Sequence, residues 1–329
     1  MRQGRLRRGR GIIWLVILSW LLTGVVACQQ APAAAPSLTS TAATAAASAA
    51  APSASALPVV VSIPVLTSLV QSVGGQWVQV TSLVPPGSDP HTYQPTPGQA
   101  KIVAAARIIF INGLGLEASF MRLIQSAAPG TPVITLAEGL STIQATPEPG
   151  ETSESGETEG NPHLWLDPDN AIVYVQRIAQ GLSQVDPAHA GAYQANAERT
   201  ITAIRDFDRQ AKAQIASIPP ERRKLVTFHD AFPYFARHYG LQLVGVLEPS
   251  PGHEPSPQEL ARLVDEIKAQ HVPAIYTEPQ FNPRLAQTIA QEAGVKVLEL
   301  YSDTPPDEQD YLGMMRLNVQ HIVEGLGAG

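Results

Sequence analysis

The sequence predicts an α/β protein of two similar lobes, each a parallel β-sheet flanked by helices, joined by one long rigid linking helix. Three observations carry this. Val- and Ile-rich strand segments alternate with amphipathic helical segments, the pattern beginning at Val59 is repeated from Lys224, and one long helical stretch lies between the two copies. At 329 residues the chain also exceeds the usual size of a single hydrophobic core.

Residues 1–27 stand apart from both lobes. Five arginines precede the apolar run GIIWLVILSWLL, which is too short to span a bilayer comfortably and reads as an export signal. The run ends in VVAC, and Cys28 is the only cysteine, so disulfides are excluded. Residues 28–57 are nearly all Ala, Ser, Pro and Thr without charge, a composition that cannot bury a core. A tether of this kind reaches roughly 30 Å as a flexible coil. Removing the five leader arginines takes 22 basic residues to 17 against 29 acidic ones, a formal charge of −12. That acidity argues against nucleic acid and anionic lipid surfaces as partners.

The N-terminal lobe is expected over residues 58–185. VVVSIPVLTSLVQSVGG reads as strand, break, amphipathic helix and closing glycine, and it aligns with KLVTFHDAFPYFARHYG at the start of the second lobe. The second strands, WVQVTSLVPP and LQLVGVLEP, each enter a Pro-rich loop holding one histidine, His91 or His253. PTPGQ and PSPQE then open helices, with Thr96 or Ser256 as cap, Pro97 or Pro257 first, and Gln99 or Glu259 closing a capping box. RIIFIN and PAIYTEP are third strands, TPVITL and VKVLEL fourth strands, and YVQRIAQGL and NVQHIVEGL the closing helices. Between the lobes, residues 186–219 form the linking helix, with Asp186 as cap, Pro187 at the first position and a length of roughly 45 Å. Residues 220–329 form the C-terminal lobe.

Ligands of open α/β sheets collect outside the carboxyl ends of the strands, so the loops there are the places to search. His91, His163, His229 and Asp303 all fall at such ends, two from each lobe. Three imidazoles and one carboxylate in an inter-lobe cleft suit a borderline divalent ion and can close a tetrahedron around Zn²⁺. Asp307 is an alternative carboxylate. His253 beside Glu254 reads as a solvated turn, and His189, His238, His271 and His321 as surface or capping residues of helices. Asp230 is expected to cap the helix after His229, Glu278 to back a ligand from behind, and Trp165 to pack beside His163. The acidic stretch 147–162 reads as a solvated loop.

These residues carry a resemblance. DPHTYQPTPGQ, NPHLWLDP, VTFHDAFPYFARHYGL, YTEPQFNP and YLGMMRLNVQHIVEGL resemble motifs of the metal-binding lipoproteins that serve zinc and manganese ABC importers, and VVAC resembles their lipobox. The resemblance implies a solute-binding protein without enzymatic activity, lipid-anchored through Cys28 to the outer face of the cytoplasmic membrane. It implies His91, His163 and His229 as metal ligands with Asp303 at the fourth position, an ABC permease as partner, and a monomeric receptor. Zn²⁺ is the expected cargo, because manganese-transporting members tend to place Glu where His229 stands, and Mn²⁺ is the alternative. Two other classes stay open: a zinc-dependent hydrolase, since three histidines can activate water, and a surface adhesin.

Overall fold

The computed structural model describes residues 56–144, 160–249, 252, 255–305 and 310–327. The export signal, Cys28 and nearly all of the tether, the acidic loop up to residue 159, His253, Glu254 and Asp307 lie outside the described residues.

The first half runs β1 (Leu57–Val61), α1 (Pro64–Gly74), β2 (Val78–Ser82), α2 (Gln99–Ala105), β3 (Ile108–Ile111), α3 (Ala118–Ala127), β4 (Val133–Thr135) and α4 (Pro168–Val185). After α5 (Ala190–Ala216), the second half runs β5 (Lys224–His229), α6 (Pro233–Tyr239), β6 (Gln242–Glu248), α7 (Pro257–Ala269), β7 (Ala274–Thr277), α8 (Arg284–Ala293), β8 (Lys296–Glu299) and α9 (Tyr311–Leu326). The strands form two four-stranded parallel sheets, ordered β2-β1-β3-β4 and β6-β5-β7-β8. This is the two-lobed α/β architecture expected from the duplication. Strands β3 and β7, covered on both faces, are buried along their whole length, as continuous apolar runs require.

Local signals hold to different degrees. Ser256 and Glu259 make the expected reciprocal capping box with Pro257 behind the cap. Helix α2 starts only at Gln99. Gln99 Oε1 still accepts from the Thr96 N–H, but Gly98 is the residue before the helix and no side chain caps it. The linking segment differs too. A short 3-10 turn (Pro187–His189) precedes the 27-residue α5, which is about 40 Å long. Asp186 does not cap it; its carboxylate accepts from the Tyr193 hydroxyl at 2.6 Å and lies 2.7 Å from His189 Nδ1.

Helix α5 packs against α1, α4 and α9, and so touches both halves. One continuous core includes Leu66, Phe110 and Trp165 from the first half and Phe232, Tyr276 and Met314 from the second. A separate cluster, with Val226, Phe228, Ile275 and Ile289, lies within the C-terminal half. His238 is no surface residue: its side chain is 7% exposed, with Nδ1 2.9 Å from Asp167 of the turn before α4 and Nε2 2.7 Å from Asp208 of α5. Burial works against its charge, but those two carboxylates outweigh burial and raise its pKa.

Two glycines test this packing. A Cβ at Gly325 in α9 would stand 2.2 Å from the Tyr276 hydroxyl of β7, whereas one at Gly191 in α5 meets nothing within 4 Å. Gly325→Ala should therefore destabilise by about 1–3 kcal/mol through overpacking, while Gly191→Ala should stabilise by up to about 1 kcal/mol. Thermal melting of the two variants checks both signs.

Candidate metal centre

Each histidine is held by local structure before it meets the others. His91 lies in the loop after β2, where Asp89 Oδ1 accepts from its backbone N–H at 3.0 Å and Asp89 Oδ2 accepts from the Thr92 hydroxyl at 2.7 Å. This side-chain turn fixes the loop. His163 sits just before α4, and Asn161 Oδ1 accepts from its backbone N–H at 3.1 Å and lies 3.0 Å from its Nδ1. Asn161 in turn donates through Nδ2 to the Asp230 carbonyl at 2.6 Å and accepts from the Tyr234 hydroxyl at 2.7 Å, crossing from one half to the other. His229 is the last residue of β5, with Nδ1 2.5 Å from Glu278 Oε1.

The three imidazoles converge through their other nitrogens. His91 Nε2 is 3.2 Å from His163 Nε2, which is 3.3 Å from His229 Nε2. With an oxygen acceptor on Nδ1 of His163 and of His229, each carries its hydrogen there, and Nε2 is left as the electron-pair donor. Bonds of about 2.0–2.1 Å around a tetrahedral Zn²⁺ set neighbouring nitrogens about 3.3 Å apart, the spacing seen here.

Asp303 is not within the group of ligand atoms lying inside 4.8 Å of one another. Its Oδ1 accepts from the Thr304 N–H at 2.7 Å, and the Val65 N–H in the first turn of α1 also stabilises the carboxylate. The residue is partly exposed, yet its Oδ2 is buried with no hydrogen-bond partner among the described residues. Burial outweighs the donors and pushes the carboxyl up to about 7.

The cluster has an uneven charge landscape. Burial first, then the neighbouring His229, lower the His91 pKa to about 4, with Asp89 opposing. Burial followed by His229 and His91 also holds His163 well below 6.5. Burial opposes the charge on His229 as well, but Glu278, aided by Asp89 and Asp230, outweighs it and leaves this imidazole raised.

Among the described residues a second group, Asp167, Asp169 and His238, also brings ligand atoms together. There the raised imidazole is itself the cation, and Arg237 lies 3.8 Å from Asp167, so the carboxylates are already matched. It is an ion-pair hub. Asp230 does not cap α6, which starts behind Phe232 without a side-chain cap. Trp165 packs on His163 with ring centroids 5.2 Å apart, as expected, and its Nε1–H also donates to the Ser302 carbonyl at 2.7 Å. Asn161 was not singled out from sequence. Its signal was Asn two residues before a histidine with a proline between, a spacing at which an amide can close on the following backbone and ring.

Residues 59–325 match the family described as zinc-uptake complex component A, periplasmic (ZnuA). The manganese-binding lipoprotein MntA of Halalkalibacterium halodurans is 32% identical over 276 residues, covering 82% of this chain and 88% of that one. The iron-binding protein YfeA of Yersinia pestis is 30% identical over 297 residues, covering 88% and 93%. A crystal structure of ZnuA superimposes with a TM-score of 0.74 at 28% identity, covering 83% of this chain and 100% of that one.

The charge landscape gives a test on metal-free protein. His91 and His163 are depressed in the folded state, so their stabilisation is complete above 6.5 and is lost as pH falls, through about 4 for His91 and in the same direction for His163. His229 is raised, so its contribution is complete below 6.5 and is lost as pH rises through its folded value. Denaturant titrations between these pH values should show stability falling with pH, with a slope smaller by about one proton in His163→Ala. An unchanged slope would mean that His163 does not fold in its neutral form.

Proposed function

The chain belongs to the ZnuA family, substrate-binding proteins of metal ABC transporters rather than enzymes, and from that premise we propose that it carries one Zn²⁺ on His91, His163 and His229. The observation that carries this reading is the convergence of three Nε2 atoms at 3.2 and 3.3 Å, a set of nitrogen donors with the edge length of a tetrahedral zinc site. Asp303 is the fourth ligand in this reading. A buried carboxylate oxygen without a partner is stabilised by a cation, and a shift of its loop toward the histidines would close the tetrahedron. The ion is cargo, passed to an ABC permease. The protein acts as a monomer.

Mn²⁺ is the second reading, favoured by the name of the relative from Halalkalibacterium halodurans. Against it, imidazole nitrogen suits zinc, and oxygen donors suit manganese. Relatives are named lipoproteins, which supports acylation of Cys28 and placement on the outer face of the cytoplasmic membrane. No helix among the described residues is long and apolar enough to cross a membrane.

Metal analysis and competition titration of the mature protein are expected to give one zinc per chain, bound more tightly than manganese. His91→Ala and His163→Ala should each weaken zinc by at least about 100-fold, the loss of a direct ligand exceeding the 10–100-fold cost of losing a supporting group. Full affinity in both folded variants would refute the site. For the anchor, Cys28→Ser should abolish labelling by radioactive palmitate in cells while the zinc affinity of the purified protein stays as in wild type. Equal labelling of both forms would contradict acylation there.

A further inference from the structure

The loop after β7 braces His229 in several ways. Phe281 N–H donates to the Glu278 carbonyl at 3.1 Å, closing a turn. The Phe281 ring stacks on Phe228 with centroids 4.7 Å apart and meets the His229 imidazole edge-on at 5.1 Å. Gln280, within that turn, directs Nε2 to two acceptors, Glu278 Oε2 and Ser302 Oγ, each at 3.1 Å. A carboxylate only accepts, so the amide nitrogen is the atom that must face it, and its two hydrogens are divided between the two partners. Ser302 immediately precedes Asp303, and its carbonyl receives the Trp165 indole N–H from the loop of His163.

We propose that Gln280 is a positioning residue for metal capture, holding Glu278 on His229 and joining that histidine to the loops that carry Asp303 and His163. The proposal rests on the histidine site argued above. Glu278 is 1% exposed, with one oxygen on His229 Nδ1 and the other on Gln280, so its carboxylate is tied at both ends. The imidazole behind it therefore keeps Nε2 aimed at its two neighbours. Through Ser302, the same amide makes the two ligand loops of the C-terminal half a connected unit. Trp165 sets that unit against the N-terminal half. Neither partner of Gln280 is a ligand in this reading, so its effect reaches the ion only through geometry.

The experiment is zinc competition titration of the mature protein against a chromophoric chelator. Gln280→Ala should bind about tenfold more weakly, and Gln280→Glu about 100-fold, because a second carboxylate then faces Glu278. The exchanged pair Glu278→Gln/Gln280→Glu should recover most of that loss. An amide at 278 still accepts from His229 Nδ1–H and donates to the new carboxylate, which accepts from the Ser302 hydroxyl. In proton NMR of the metal-free protein, the slowly exchanging Nδ1–H resonance of His229 should persist in wild type and the exchanged pair and broaden in Gln280→Ala. A residue that merely filled space would leave that resonance unmoved and would not be rescued by the exchange. Should Gln280→Glu fail to fold, Gln280→Ala and the exchanged pair carry the test. Wild-type affinity and an unbroadened resonance in Gln280→Ala, with His229→Ala strongly weakened, would overturn the role of Gln280 alone. Wild-type affinity in His229→Ala as well would overturn the histidine site, and this proposal with it.

Discussion

Three imidazole nitrogens lying 3.2–3.3 Å apart along a chain of contacts cannot all carry protons, and the surroundings of the site follow from that constraint. Burial keeps His91 and His163 neutral. His229, the one imidazole raised in pKa, has a buried carboxylate behind it to balance a charge. Asn161 and Glu278 occupy the back of two rings, and an acceptor at Nδ1 turns each ring so that its lone pair faces inward. A site built this way is aimed before any ion arrives, which lowers the ordering cost of binding.

The fold maintains that aim by refusing to behave as two independent halves. The duplicated sheets supply equivalent strand ends, but the core does not stop at the junction: Phe232 and Met314 from one half belong to the same cluster as Leu66 and Phe110 from the other. His238 adds a buried ion pair between α6, α5 and the turn from which α4 starts. Asn161 and Tyr234 span the junction next to the site itself. Such contacts favour movement of the ligand loops over wide opening of the lobes, because close-packed interiors do not deform continuously.

What the sequence made legible was periodic or local. Strand and helix order, the internal duplication, the Ser256 box, His91 in the loop after β2 and His229 at the end of β5 all follow from spacing along the chain, whereas His163 sits just before α4. The misses share a different character. Thr96 lies two residues too early, because α2 begins only at Gln99, behind Gly98. Asp186 and Asp230 look like caps in sequence, yet one carboxylate is taken by Tyr193 and His189 and the other residue stands too far before α6. His238 and Gln280 find partners tens of residues away or across a turn, where no periodicity reports them. The position of Asp303 depends on a loop seated against α1, again a tertiary matter.

The hydrogen bond from the Tyr311 backbone to Ser68, 243 residues earlier, has a consequence for biogenesis. Helix α9 completes the environment of α1, so a chain that emerges from its N-terminal side presents α1 before that neighbour is available. Parallel sheets closed by contacts of such large sequence separation fold slowly and expose apolar surface meanwhile. Until the sixteen residues of α9 are in place, the face of α1 that they cover stays open to water or to the wrong neighbour.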